Sequence, residues 1–220
     1  MKKMTKGLKQ LKDDWESAAK RKDYRFSIYS NPDFSEPIFD KSGTNSLNIL
    51  LDILESWNVD ISDKTVVDYG CGAGRVTKYI AQVARKVIGT DISEKMIDRF
   101  KQRLGKIENV DLFTGSGKDL RPLEDGSVDI IYSLWVFQHI PEKIVPKIVE
   151  DCYRVLKEGG LLIFQMALDK KHRAGVYEPL PACSLAHWTK KEVKKMCRDM
   201  GFNGYNEYRL GGNDYFTFQK

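Results

Sequence analysis

Short apolar runs alternate along the chain with segments of helical periodicity. Five of these runs are rich in β-branched residues and end in polar or glycine residues, which is typical of buried parallel strands. They lie at residues 66–67, 86–90, 110–114, 128–133 and 161–165. Two intervening segments, residues 75–84 and 142–156, carry apolar residues at helical spacing. The alternation of strands and helices predicts an α/β fold.

The C-terminal part of the chain adds one helix and two strands. Thr189 to Met200 is predicted to be a helix, because Thr189 can cap its first turn and Glu192 completes a capping box. A glycine follows and ends it. Two further strands are predicted near residues 205–210 and 215–219, and the last is expected to run antiparallel to the sheet. The predicted sheet therefore has seven strands.

A glycine-rich turn follows the first predicted strand. Residues Val66 to Gly74 read Val-Val-Asp-Tyr-Gly-Cys-Gly-Ala-Gly, with glycine at every second position of the turn. Glycine lets the chain reverse tightly and brings backbone N–H groups close to a ligand. Because a strand, a glycine turn and a helix follow one another, we predict a nucleotide-cofactor site here.

Two classes of ligand use such a turn, and spacing separates them. Dinucleotide sites follow the pattern G-x-G-x-x-G, whereas this chain has Arg75 where the third glycine would stand. A bulky side chain at that point and the acidic Asp68 before the turn both disfavour a pyrophosphate. The carboxylate of Asp68 favours a ligand with an ammonium and a sulfonium by Coulomb attraction. The turn therefore resembles that of class I S-adenosylmethionine-dependent methyltransferases.

The resemblance runs from about Phe39 to about Gln165 and continues more loosely to the C-terminus. It implies an α/β fold with a Rossmann-like, seven-stranded, mostly parallel sheet, helices on both faces and an antiparallel final strand. It also implies S-adenosylmethionine as cofactor, S-adenosylhomocysteine as product and no metal. Asp91, at the end of the second strand, is the expected partner of the ribose hydroxyls. A nicotinamide enzyme uses the same feature, so Asp91 alone does not decide the cofactor.

In the family, the cofactor-binding residues lie at the ends of successive strands. The loop after the third strand borders the adenine, and the end of the fourth strand faces the methyl group. The resemblance assigns this role to Asp68, Gly70, Cys71, Gly72, Gly74, Asp91, Ile92, Ser116, Gly117, Ser133 and Trp135. Two positions depart from the family pattern. Ser116 replaces a common acidic residue, which weakens a side-chain contact to the adenine amine. Glu158 replaces a proline in the Glu-Gly-Gly turn predicted to separate a helix from the fifth strand.

His139 is the candidate general base, because it follows the fourth strand and an unperturbed imidazole has a pKa near neutrality. Its alternative role is to orient a loop or contact the acceptor without taking a proton. Trp135 and Phe137 are candidates for the pocket wall near the sulfonium. They share one side if the strand continues and separate if a helix begins there. His187, beside Trp188, is a weaker candidate for the base, and His172 is expected to be exposed to solvent.

Composition bounds the class of protein. A chain of 220 residues with 41% apolar content can bury one substantial core. No stretch approaches the roughly 20 apolar residues of a membrane span, and no apolar signal core follows the basic N-terminus. We therefore expect a soluble cytoplasmic enzyme. The four cysteines form no C-x-x-C pair and have no histidine at metal-ligand spacing, and Cys71 is interpreted as a packing residue.

Positive charge is concentrated at the N-terminus. Residues 1–25 contain nine Lys or Arg and four acidic residues, and this excess of five equals the net charge of the whole chain. A solvated helical arm explains the excess, and a patch for an anionic partner is the alternative. Trp15 and the aromatic residues after it are too apolar for a free tail. We predict a helical arm or lid over residues 1–43 and a methyltransferase domain over residues 44–220, opening with a helix near 44–57.

The resemblance predicts an S-adenosylmethionine-dependent methyltransferase that acts on an oxygen or nitrogen of a small polar molecule. Residues 169–188, rich in charges, prolines and aromatics, are expected to line the acceptor pocket. Two alternatives stay open. One is a methyltransferase that binds RNA or protein through its basic residues, and the other is a non-catalytic S-adenosylmethionine-binding protein. A nucleic-acid acceptor is less favoured, because the chain lacks an evident Asn-Pro-Pro-Tyr tetrad. The sequence leaves the oligomeric state open.

Overall fold

The computed structural model describes residues 2–29, 35–166, 168 and 188–220, without the side chains of residues 2–6, 26 and 29. Seven strands form one sheet in the order β3-β2-β1-β4-β5-β7-β6. They are β1 (Thr65–Tyr69), β2 (Lys86–Asp91), β3 (Val110–Thr114), β4 (Val128–Ser133), β5 (Leu156–Gln165), β6 (Gly204–Leu210) and β7 (Asn213–Gln219). The predicted Rossmann-like α/β class is confirmed.

The strand directions match the prediction as well. Strands β1 to β5 are parallel, and β7 runs antiparallel to both of its neighbours, β5 and β6. The strand order reverses between β1 and β4, because the chain winds outward to β2 and β3 before it returns. Ligands bind at the carboxyl ends of the strands beside such a reversal. The fold therefore places a crevice at the ends of β1 and β4.

Helices cover both faces of the sheet. They are α1 (Lys2–Lys20), α2 (Tyr24–Tyr29), α3 (Glu36–Ser56), α4 (Thr77–Val83), α5 (Glu94–Leu104), α6 (Val145–Val155) and α7 (Lys190–Asp199). Neighbouring residues of β1 show the two layers. Val66 packs in the cluster that contains residues of α3 and α4. Val67 packs in the cluster that contains residues of α6 and α7. Successive strand residues point to opposite faces, so both faces of β1 are buried.

Two element boundaries differ from the prediction. Helix α3 begins at Glu36 rather than near residue 44, because Pro37 occupies the first turn, where its missing N–H lacks a helical partner anyway. The predicted division between residues 43 and 44 thus falls inside a continuous helix. Strand β5 begins directly after α6, so the predicted Glu-Gly-Gly stop lies within the strand. A register shift against β4, between Val128 and Ile130, accommodates these residues.

The C-terminal helix agrees with its sequence signal. Helix α7 follows Thr189, whose side chain accepts a hydrogen bond from the backbone N–H of Glu192. The side chain of Glu192 accepts one from the backbone N–H of Thr189 in return, which completes the predicted capping box. This helix packs Val193 and Cys197 into the core beside α6. It therefore closes one face of the sheet at the C-terminal strands.

Candidate functional site

The glycine turn leaves β1 and folds against the next strand. The backbone N–H groups of Gly70 and Cys71 both donate to the carbonyl oxygen of Thr90, at 2.7 and 3.0 Å. Gly70 has a φ of +82°, a conformation that L side chains rarely adopt. A Cβ at Gly70 would also lie 2.2 Å from a methyl carbon of Val136. Only glycine fits here, and its small size lets the loop after β4 approach the turn.

Asp91 ends β2 and faces the turn. One of its carboxylate oxygens accepts a hydrogen bond from the backbone N–H of Gly72 at 3.0 Å, and the other accepts from that of Ser93 at 2.8 Å. Burial raises the pKa of Asp91 from 3.8 to about 6, and these two hydrogen bonds oppose the rise. Each oxygen keeps a further lone pair. The carboxylate is thus fixed in orientation and still able to accept hydrogen bonds from a ligand.

Asp68 lies one strand away at the end of β1. Its carboxylate accepts a hydrogen bond from the hydroxyl of Thr77 at 2.6 Å, and the residue is only 5% exposed. Burial raises its pKa to about 6, while the Thr77 hydrogen bond and the charge of Arg75 oppose the rise. The charge of Asp68 also raises the pKa of Asp91. A cationic ligand beside this pair of carboxylates would favour the ionised form of both.

Arg75 occupies the position at which a dinucleotide-binding turn has its third glycine. Its guanidinium is buried, and Nη1 donates to the carbonyl oxygen of Ser42 at 3.1 Å and to the hydroxyl of Ser46 at 2.9 Å. These bonds attach α3 to the cofactor turn. The contact is close, because a Cβ at Gly43 would lie 2.0 Å from the carbonyl oxygen of Arg75. The arginine therefore holds together two elements that border the site.

One cavity collects most of the site residues predicted from the sequence. Its lining includes Asp68, Gly70, Cys71, Gly72, Asp91, Ile92, Gly117, Trp135 and His139. Gly117 has a φ of +75°, and a Cβ there would lie 2.4 Å from a carbon of Ile92, so the loop after β3 packs tightly on the residue after Asp91. The ends of β1, β2, β3 and β4 thus meet around a single space.

Three predicted cofactor residues lie outside that lining. Gly74 packs against α5, where a Cβ would lie 2.6 Å from carbons of Phe100 and Leu104. The buried hydroxyl of Ser133 donates to the carbonyl oxygen of Tyr69 at 2.8 Å and joins the ends of β4 and β1. The exposed Ser116 donates to the carboxylate of Asp119 at 2.8 Å. Gly74 and Ser133 thus pack behind the cavity wall, whereas Ser116 lies at the surface.

Residues before the first strand also border the cavity. Leu11 and Trp15 of α1 and Ile28 of α2 line it together with the glycine turn. The Trp15 ring meets His139 edge-on, with ring centroids 5.6 Å apart and an interplanar angle of 81°. The sequence indicated only that Trp15 is too apolar for a free tail. Its contacts place it at the cavity and against α5, where it packs beside Met96.

The loop after β4 separates Trp135 and Phe137, which is the outcome expected from the sequence if a helical turn begins there. Trp135 lines the cavity and has a φ of +62°, rare for a bulky residue. Phe137 opens a 3-10 turn that runs to His139, and it is fully buried against Phe164, with ring centroids 4.7 Å apart. The strand ends at Ser133, so the alternation stops before these residues. Trp135 is therefore a wall residue, and Phe137 belongs to the core.

The remaining sequence candidates carry less weight at this site. Cys71, Cys152 and Cys197 are free and buried, and burial raises the pKa of each thiol. Among the described residues, no group of three His, Cys, Asp or Glu side chains could hold a metal ion. His172, His187 and most of the predicted acceptor-lining segment lie outside the described residues. Within the part of the chain that is described, no helix is long and apolar enough to cross a membrane.

Several lining residues were missed from the sequence. Leu11, Met96 and Ile140 are apolar members of ordinary amphipathic or apolar segments, and nothing in their local pattern distinguishes a cavity wall from a core position. Arg75 was noted only as an obstacle to a pyrophosphate. Its position directly after the glycine turn was the one available signal, because a charged residue that opens a buried turn needs partners.

The order of the strands, the glycine turn and the two acidic strand ends define the fold and site of class I S-adenosylmethionine-dependent methyltransferases. Residues 67–164 match the family model described as a methyltransferase domain. This segment is therefore a methyltransferase domain. The predicted family and cofactor are confirmed.

Two curated relatives show the range of acceptors around this domain. The chain is 30% identical over 139 residues to phosphoethanolamine N-methyltransferase 1 of Caenorhabditis elegans, covering 59% of this chain and 29% of that protein. It is 32% identical over 124 residues to a tRNA N(3)-methylcytidine methyltransferase of Schizosaccharomyces pombe, covering 53% of this chain and 39% of that protein. The chain thus spans well under half the length of these relatives.

A solved structure shares the fold over nearly the whole chain. It is Haemonchus contortus phosphoethanolamine N-methyltransferase 1 in complex with phosphoethanolamine and S-adenosylhomocysteine. The TM-score is 0.74 at 18% sequence identity, and the match covers 98% of this chain and 49% of that one. A methyltransferase from Aquifex aeolicus matches with a TM-score of 0.61 over 76% of this chain. At these identities the likeness shows the fold alone.

Proposed function

We propose that the protein transfers a methyl group from S-adenosylmethionine to an oxygen or nitrogen of a small polar molecule. The observation that carries the proposal is the single cavity in which Asp68 and Asp91 lie together with Trp135 and His139. The first two residues suit the donor, and the last two lie beside the loop where the family brings acceptor and methyl group together. The relative named for phosphoethanolamine supports a small acceptor.

The reaction mainly requires that the methyl donor and the acceptor be aligned. A nucleophilic oxygen or nitrogen attacks the methyl carbon, its bond to the positively charged sulfur breaks, and the sulfur keeps the electron pair. Because the sulfonium is already activated, holding donor and acceptor collinear supplies much of the acceleration, and orientation can contribute about 7–11 kcal/mol. A general base adds roughly 10²–10⁴-fold only when the acceptor proton is difficult to lose.

Each residue has a proposed part in holding the donor. The carboxylate of Asp91 accepts hydrogen bonds from the ribose hydroxyls, and its two backbone bonds fix the direction of its lone pairs. Asp68 lies toward the amino-acid end and favours the ammonium and sulfonium charges. The backbone beside Gly117 meets the adenine edge, and the apolar side chain of Ile92 packs on the ring. Trp135 lies at the wall nearest the methyl group.

An RNA acceptor is the second candidate, because one curated relative is named as a tRNA methyltransferase. The basic residues of α7 bear on this candidate. Lys190 forms an ion pair with Glu207 at 3.1 Å, and Lys195 forms one with Asp199 at 2.5 Å. Part of the positive charge on this surface is thus neutralised by the protein itself. We therefore favour the small acceptor over the nucleic acid.

A methyl-transfer assay tests the proposal. The purified protein is incubated with methyl-labelled S-adenosylmethionine and a panel of small amines, alcohols and amino sugars that includes phosphoethanolamine. We expect label in at least one product and a large loss of transfer in an Asp91→Asn variant.

Transfer to tRNA instead, with binding that weakens steeply as salt rises, would replace the small acceptor with the RNA candidate. Binding of the donor without transfer to any acceptor would support a non-catalytic binding protein.

A further inference from the structure

Strand β6 forms one edge of the sheet, beside β7. The loop between these two strands has only two residues, so Leu210 and Asn213 are the hydrogen-bonded pair that closes the hairpin. In an antiparallel pair, residues that bond to the neighbouring strand alternate with residues whose backbone N–H and C=O groups point away from it. The residues of β6 that point away from β7 are Tyr205, Glu207 and Arg209.

This row of backbone groups is accessible to a further strand. Among the residues that the structure describes, β6 pairs with β7 alone, and the backbone groups of Tyr205, Glu207 and Arg209 form no backbone hydrogen bond outside the sheet. Glu207 and Arg209 are exposed, and Tyr205 is half-buried. A row of unpaired donors and acceptors at a sheet edge favours pairing with a strand of another chain.

The charges of β6 complement those of a second copy of the same strand. In an antiparallel pair centred on Tyr208, Glu207 of each copy lies opposite Arg209 of the other copy, as two-fold symmetry requires. The outward-pointing N–H and C=O groups of these two residues then exchange hydrogen bonds across the pair. Opposite charges directly across two strands stabilise their pairing. The strand is therefore complementary to itself in this one arrangement.

The same charges disfavour the neighbouring registers. A shift by two residues is the smallest that keeps every side chain on its own face of the sheet. In one direction the shift places Glu207 opposite Glu207, and in the other it places Arg209 opposite Arg209. Like charges directly opposite each other are destabilising. The register centred on Tyr208 also brings the loop glycines opposite Gly204 and Tyr205, where they add no side chain that could clash.

We propose that two copies of this chain associate through their β6 edges, in an antiparallel pairing centred on Tyr208 that joins their sheets across a two-fold axis. Main-chain hydrogen bonds supply the contact, and the Glu207–Arg209 pairs fix its register. One strand edge buries less area than a permanent dimer interface does, so the dimer is weak and depends on protein concentration. Each copy keeps its own donor crevice, because β7, β5 and β4 lie between β6 and β1.

Contacts within each copy already hold the residues at this edge in place. Glu207 pairs with Lys190 of α7 at 3.1 Å, and Arg209 pairs with Asp214 of β7. The side chains of Glu207 and Arg209 are still 42% and 53% exposed, so each has room for a second partner across the axis. On the other face of the sheet, the hydroxyl of Tyr208 accepts a hydrogen bond from Nε1 of Trp57 at 3.0 Å. The residue on the axis is thus fixed as well.

Charge reversal tests the pairing, with the association of the full chain measured by sedimentation equilibrium. We expect a reversible monomer–dimer equilibrium in the wild type. Glu207→Arg and Arg209→Glu each place like charges opposite each other twice, and we expect the dimer dissociation constant to rise by about tenfold or more. Lys101→Glu on α5 changes the net charge as much as Arg209→Glu does, at an exposed position away from β6, and should associate as the wild type does.

A one-to-one mixture of the two single variants provides the decisive comparison. In a mixed dimer, opposite charges again face each other at both positions, so we expect association to return to within about threefold of the wild type. Both variants should bind S-adenosylhomocysteine as the wild type does, which shows that each is folded. Amide hydrogen exchange supplies an independent measurement, because dimer formation should protect the N–H groups of Glu207 and Arg209.

Three results would overturn the proposal. The first is a wild type that stays monomeric up to about 1 mM. The second is a dimer whose affinity is the same in both single variants, or a mixture that associates no better than either variant alone. The third is a dimer in which the N–H groups of Glu207 and Arg209 exchange as fast as they do in the monomer, since the copies would then meet at another surface.

Discussion

Asp68 and Asp91 are buried carboxylates whose hydrogen bonds compensate only part of the cost of burying a charge. The pKa of each is raised to about 6, mainly by burial. In the unfolded chain both groups titrate near 4. The native protein therefore binds more protons than the unfolded chain between about pH 4 and pH 6. Their stabilising effect on the apo fold is fully present below about pH 4 and is lost as the pH rises through about 6.

Donor binding has the opposite dependence on pH. The ionised carboxylates accept hydrogen bonds from the ribose and attract the cationic end, so the affinity for S-adenosylmethionine should fall as the pH drops from 7.5 to 5.5. We expect the donor-induced rise in melting temperature to shrink over that range. Calorimetric titration at several pH values measures the same change as an affinity. An affinity that is constant over this range would contradict the role of the two carboxylates.

Local residue chemistry made the roles of the glycine turn, Asp68 and Asp91 predictable. The contacts between distant parts of the chain were not predictable in this way. The glycines and the acidic residues stand in one short segment or at a strand end, where spacing alone restricts their role. Leu11 and Ile28 reach the same cavity from helices far away in the chain. Ser133 was expected at the donor and lies instead between strands, because its hydroxyl satisfies the carbonyl oxygen of Tyr69. No local sequence pattern distinguishes a residue that lines the cavity from one that packs between other elements.

At the scale of elements, α1 covers the cofactor side of the sheet. Trp15 lines the cavity, and the side chain of Glu16 accepts a hydrogen bond from the backbone N–H of Glu94 at 2.8 Å, at the start of α5. Arg99 of α5 donates to the carbonyl oxygen of Ala19 at 2.8 Å. Helix α1 is thus held against the helix that begins beside Asp91. We propose that it acts as the lid predicted from the sequence.

A Trp15→Ala variant tests the lid. Removing the indole takes away one wall of the cavity and its contact with His139, so bound S-adenosylhomocysteine should dissociate faster. We expect affinity to fall about tenfold, which corresponds to about 1.4 kcal/mol. The exposed Lys12 on the same helix provides the control, and Lys12→Ala should bind as the wild type does. Equal affinity in Trp15→Ala and Lys12→Ala would assign Trp15 to packing only.

Arg103 connects α5 to the start of α3. Its guanidinium forms ion pairs with Glu36 and Asp40, and Nη1 donates to the carbonyl oxygen of Ala73 at 3.1 Å. The arginine side chain is 6% exposed, whereas those of Glu36 and Asp40 are 43% and 29% exposed. The two carboxylates would regain water if the arginine were removed, so the cost lies below that of a fully buried pair.

We expect Arg103→Met to lower the free energy of unfolding by about 2 kcal/mol. Urea denaturation measures the loss, and the exposed Lys101 on the same helix supplies a matched control in Lys101→Met. A change below about 0.5 kcal/mol, the range of ordinary surface substitutions, would show that the ion pairs contribute little.

Element boundaries followed from the sequence where composition changes sharply. Strands β3 and β4 begin and end as predicted, because polar or glycine residues flank their apolar runs. The start of α3 was wrong because Pro37 resembles a loop residue, although a proline fits the first turn of a helix. The Glu-Gly-Gly segment was taken as a helix stop, and a positive φ at Gly159 instead lets the strand absorb it.

At the scale of the whole molecule, the strand order positions the site. The reversal between β1 and β4 brings Asp68, Asp91 and the loop before His139 to one edge of the sheet, although these residues are far apart in the chain. Periodicity alone predicted strands and helices without their order. The order came from the resemblance carried by the glycine turn and the acidic strand ends. A few specific residues therefore determined more of the architecture than the general apolar pattern did.

The central claim is that the carboxylates at the ends of β1 and β2 hold S-adenosylmethionine around the glycine turn. The most direct test is calorimetric titration of S-adenosylhomocysteine into the wild type and into Asp91→Asn at pH 7.5. Loss of charge-assisted hydrogen bonds to the ribose should weaken binding by about 10- to 100-fold, with the fold unchanged by circular dichroism. Equal affinity in the two proteins, or displacement of the nucleoside by a nicotinamide dinucleotide, would contradict the account.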